Sequence, residues 1–212
     1  MGPGRSRLLR QATAAGVATP PCLVAALGLL TVANRSYLAS VDWSPTGYTD
    51  VQWPSILATG RWGAAASGAF LAAGIAGMGL AWAARELLPP GRPRLAAVPM
   101  AVVGLATAVA AFPTDPVGAE GPPSWHDRLH DLAFPSLAAG AIAAMAWLAL
   151  TLPRDGDWRR LARLSGAAAA VTLAAFALTG THAISQLARF ALLAALLLWA
   201  EALALRLRGV AP

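Results

Sequence analysis

The stretch SWHDRLHD, residues 124–131, gathers two of the three histidines of this 212-residue chain with two carboxylates. It follows Pro122 and Pro123, which cannot continue a preceding helix. Ser124 is a natural helix N-cap, with Asp127 three residues on as its capping-box partner. A helix starting there sets His126 and His130 one turn apart on one face. Neutral imidazoles at that spacing can hold one metal ion, and Asp115 can supply an oxygen ligand. His182 opens the link between the last two apolar segments and can converge with them. The set His126, His130, His182 and Asp115 therefore describes a site for zinc or another divalent metal that activates water. In that reading Asp115 and His126 are the candidate catalytic pair. A structural reading stands beside it: Asp127 and Asp131 also favour a helix N-terminus electrostatically, and no HExxH glutamate accompanies the histidines. Haem between His126 or His130 and His182 is less favoured, and no CxxCH motif is present.

These residues sit in an unusual chain. It is 57% hydrophobic and 12% charged, about half the charge of a soluble domain, with a mean hydropathy of +0.57. The apolar surface must face lipid. Six segments approach the length needed to cross a bilayer: 12–33, 62–84, 95–112, 133–152, 164–180 and 184–207. The expectation is one all-α domain, a bundle of six transmembrane helices. Arg5, Arg7 and Arg10 before the first segment resemble the start of a secretory signal, but five later segments make it a retained span.

The charge pattern orients the bundle. All 16 basic residues are Arg, which with the abundant alanine matches the codon bias of a high-GC bacterium. Arg5, Arg7, Arg10, Arg85, Arg92, Arg94, Arg154, Arg159, Arg160, Arg163, Arg206 and Arg208 fall on one side. Only Arg35, Arg61, Arg128 and Arg189 fall on the other. The positive-inside rule then puts both termini in the cytoplasm, at the plasma membrane of a bacterial cell. The net charge of +6 is thus a topology signal; no basic face or nucleic-acid motif accompanies it, and no nucleic-acid partner is expected. Membrane lipids are the expected partners, with a small apolar ligand as a further candidate.

This orientation collects all three histidines and six of the ten acidic residues at the outer face, on the long connections 34–61 and 113–132. Long ordered loops are often functional. Inside the spans, Arg189 and Glu201 read as members of structural ion pairs, Arg189 with Asp115 or Asp131 and Glu201 near Arg208. Gly74, Gly77 and Gly79 read as small residues at a close helix crossing. Cys22, the single cysteine, reads as a buried small hydrophobe.

The run GLATAVAAFPTDP followed by SWHDRLHDLAFPSLAAG resembles a bacterial multi-pass family known as domain of unknown function 998. The third span ending in Phe112-Pro113-x-Asp115, the following His126, the Trp62-Gly63 pair and Arg189 before Trp199 carry the resemblance, from about residue 23 to 207. It implies six spans and adds weight to Asp115 and His126, but no activity. Two functions follow as expectations: a membrane protein whose outer His/Asp cluster is structural or binds a ligand or lipid, and a metal-dependent hydrolase or cyclase acting on a lipid or isoprenoid. A transporter is less favoured, since no broken-helix pair or internal repeat is evident.

Overall fold

Long apolar runs in lipid must satisfy every backbone group internally, and the α-helix does this within one segment. The structure, a computed structural model, describes residues 2–45, 53–153, 156–180 and 185–212. Among them there are seven α-helices and no strand: α1 (Pro3–Ala33), α2 (Arg35–Ser40), α3 (Gly63–Leu87), α4 (Ala97–Val109), α5 (Trp125–Thr151), α6 (Arg159–Leu178) and α7 (Ser185–Val210). All but α2 are long and apolar enough to cross a membrane, α4 together with the 3-10 turn Arg92–Ala96 before it. The six expected spans each correspond to one helix, with shifted ends. α1 begins at Pro3 rather than residue 12, since proline suits a first helical position. α5 begins at Trp125 rather than residue 133, so the SWHDRL segment is its first turns.

The outward faces agree with a lipid surrounding. Leu29, Val98, Leu150 and Leu198 are each about two-thirds or more exposed (72, 67, 74 and 66%), on a scale no water-soluble monomer tolerates over its whole girth. Cys22 is exposed on this same belt, not buried as expected; in lipid an apolar side chain gains nothing by turning inward.

The spanning helices close a ring in chain order, α1 packing on α3, then α4, α5, α6 and α7, with α7 returning to α1. Short connections make sequential helices antiparallel neighbours. The interior at the end holding the termini is filled by Leu80, Met145, Leu148, Trp199 and Leu203, and the Trp199 Nε1–H donates to Ser165 Oγ at 3.0 Å. The α3–α4 crossing is a backbone contact. A Cβ on Gly74 would lie 2.4 Å from the Ala108 nitrogen, and one on Gly104 would lie 2.6 Å from that of Met78. Gly74 is therefore a packing residue, as its type suggests; Gly79 is not, its nearest neighbour being a methyl 3.8 Å away.

Both termini lie at one end of the ring. Arg10 donates to the Pro212 carbonyl, Arg5 pairs with Glu86, and Arg94 donates to the carbonyls of Glu86 and Leu88 at the end of α3. The opposite, distal end carries the long connections. The first of these folds inward: Leu38, Ile56 and Leu57 are buried against Leu23, Leu27, Ala66 and Phe70. Tyr37 and Thr59 share a hydrogen bond of 2.7 Å that ties its two limbs together.

Candidate functional site

Two features meet at the distal end: a polar cluster at the start of α5 and a chamber between the helices behind it. The cluster begins with the cap. Ser124 Oγ accepts the Asp127 N–H at 3.2 Å, as its position predicts. Asp127 Oδ1 in turn accepts the Asp115 N–H at 3.0 Å, and Asp115 Oδ2 accepts the Ser124 N–H at 2.8 Å. The Ser124 backbone N–H, and next its hydroxyl, hold the Asp115 carboxyl below its ordinary value of 3.8; the His126 ring acts in the same direction and partial burial opposes them.

The two histidines on this helix do a related job. His126 Nδ1–H donates to the Pro113 carbonyl at 2.9 Å, and His130 Nδ1–H donates to the Phe112 carbonyl at 2.7 Å. Imidazoles one turn apart thus grip two consecutive carbonyls just past the end of α4. Donation to a carbonyl places a proton on each Nδ1. In buried His130 the Nε2 shares a hydrogen bond of 2.7 Å with the Ser55 hydroxyl. Both its nitrogens are therefore engaged in hydrogen bonds. Among the described residues no three His, Cys, Asp or Glu side chains group as metal ligands, and His182 lies outside the described residues. Asp115 and His126 do come together, Oδ1 to Nε2 at 3.8 Å, within the same hydrogen-bonded cluster.

Behind the cluster lies a chamber of about 480 Å³, within the size range of small-molecule sites. Its walls are mainly apolar and aromatic, among them Trp53, Phe134, Phe176 and Leu192. His130 and Ser55 line it too, so the bond that anchors the connection is also part of the chamber wall. Asp115 and His126 do not line it.

Arg189 also lines the chamber, from the second turn of α7. Its expected ion pair is absent: among the described residues the arginine–carboxylate pair is Arg5–Glu86, and Asp115 instead lies beside the His126 ring. Its Nε and Nη1 are shut off from solvent and have no hydrogen-bond partner among the described residues. Asp131 lines the same chamber but is solvent-exposed, and water satisfies a carboxylate there at less cost than leaving it for a half-buried partner. Glu201, half-buried in α7, likewise forms no ion pair among the described residues. An arginine one turn inside an apolar helix was the available signal for a ligand site; Trp53 and Ser55 gave none, because only the inward fold of their loop brings them here.

No family model, curated protein or solved structure matches this chain.

Proposed function

We propose that this chain is a multi-pass protein of the bacterial plasma membrane, both termini cytoplasmic, that holds a lipid-like molecule in the chamber at its outer face. The observation that carries this reading is the apolar, aromatic-walled chamber, whose rim the His130–Ser55 bond ties to the neighbouring connection. The orientation is supported by the arginines: eleven of the twelve on the terminal side belong to described residues, and Arg5, Arg10 and Arg94 make their contacts at the end of the termini. In this reading Asp115, Asp127, His126 and His130 are structural, fastening the connection between α4 and α5. Membership of the family of unknown function 998 is part of the proposal and adds no activity to it.

The test has two arms. In a Cys22→Ser background, a cysteine at Val117 should react with a membrane-impermeant maleimide in intact cells, and one at Ala211 should react only after lysis. The reverse pattern overturns the orientation. Protein purified in mild detergent should retain a stoichiometric lipid that Leu192→Trp, which fills the chamber, expels. Identical lipid content in both proteins overturns the binding role. A metal-dependent hydrolase or cyclase would need Asp115 and His126 on the chamber wall, where they are not.

A further inference from the structure

The chamber continues toward the middle of the bundle. Phe70, Ala110, Leu137 and Leu193 line both it and a slimmer crevice of about 120 Å³, which reaches Gly16 and Leu80 between α1, α3, α4, α5 and α7. A closed apolar cavity of about 150 Å³ accepts a benzene ring, so the crevice suits a slender hydrocarbon. Its only polar side chains, Thr19 and Thr107, are turned back onto their own helices, donating to Ala15 and Val103 carbonyls at 2.8 Å each. Nothing in it asks for water or an ion. At the other end stands the Arg189 guanidinium, which forms no ion pair among the described residues.

An unpartnered buried donor is costly until an acceptor arrives. A guanidinium is permanently charged and donates to the oxygens of a carboxylate or phosphate. Arg189 lines the chamber and has no ion pair among the described residues, and exposed Asp131 is already solvated, so the chamber holds a cation that an anion can meet. A guanidinium at one end and a greased slot at the other describe a head and a tail.

We infer that chamber and crevice together form a binding site for a single-chain anionic amphiphile, its carboxylate or phosphate head on Arg189 and its hydrocarbon chain running inward past Phe70 and Leu193. This rests on the lipid-holding reading above and names the class of ligand.

The test is equilibrium binding of hexadecanoate, hexadecyl phosphate and hexadecanol to the purified full chain in a neutral detergent. Charge-assisted hydrogen bonds predict that wild type holds the two anions about 10- to 100-fold more tightly than the alcohol. Whichever anion binds better identifies the head. Arg189→Gln should abolish the preference while leaving the alcohol's affinity unchanged, Arg189→Lys should keep a preference for anions, and Leu193→Trp should weaken all three ligands. Equal binding of anions and alcohol to wild type overturns the role of Arg189 while leaving the lipid-holding chamber intact, and so does a preference that persists in Arg189→Gln. Failure of all three to bind overturns the chamber reading itself. The wild-type comparison decides the head-group charge even if a variant does not fold.

Discussion

Replacing His130 by Phe removes two hydrogen bonds and almost no volume. The imidazole is 6% exposed and spans from the Phe112 carbonyl to the Ser55 hydroxyl, at 2.7 Å on each side. Each bond contributes about 1 kcal/mol net. The orphaned groups recover part of their loss, because Phe112 is exposed at its outer edge and Ser55 is half-buried. The expected destabilisation is about 2 kcal/mol, a drop of about 4–8 °C in Tm for a chain of this size. Ser55→Ala alone should cost about 1 kcal/mol, and the double mutant should cost less than the sum, with a coupling of about 1 kcal/mol. Thermal unfolding in detergent micelles, with the four proteins of the cycle run side by side, measures all of this. Full additivity, or a His130→Phe protein as stable as wild type, refutes the claim that this imidazole joins the two connections.

Gly74→Val should disrupt the α3–α4 contact, since even a Cβ there meets the Ala108 backbone at 2.4 Å; we expect a loss of about 3 kcal/mol or failure to fold, read by thermal unfolding, whereas Gly79→Ala should be nearly neutral. Acid should release the α4–α5 connection: Asp115 titrates below 3.8 in the folded chain, so its contribution is complete above that value and fades as the pH falls through the lower folded value. Proteolysis between residues 113 and 124, followed against pH with an acid-stable protease, should rise below about pH 4 and lose that pH dependence in Asp115→Asn. Metal analysis of wild type and His126→Ala should give equal contents if the cluster is structural; a zinc ion lost with the imidazole would return the site to metal chemistry.

The helices were legible because length and hydropathy decide whether a segment can cross lipid, and both are local properties. The start of α5 was legible for a similar reason, since Ser124 and Asp127 form their cap within one turn. What the histidines bind was not legible. Spacing predicts that His126 and His130 share a face, and they do, but a metal and a pair of carbonyls ask for the same spacing. Only the path of the chain at Phe112 and Pro113 decides between them. Arg189 was misread for a related reason: a carboxylate near in sequence pattern, Asp131, lines the same chamber without turning to meet it. The inward fold of the 34–61 connection, which brings Ser55 to His130, depends on buried Ile56 and Leu57, and such a loop carries no periodicity to read.

The anchor at the distal end grips main-chain oxygens, which every residue supplies. The identity of the side chains between Pro113 and Ser124 is therefore nearly irrelevant to it, provided the turn still returns Asp115 to the helix start. Doubling the length of the exposed part of that segment would add only about 0.6 kcal/mol of closure entropy. The connection is a place where this protein can acquire new surface, a partner epitope or an extra strand of chain, without retuning the fold beneath it.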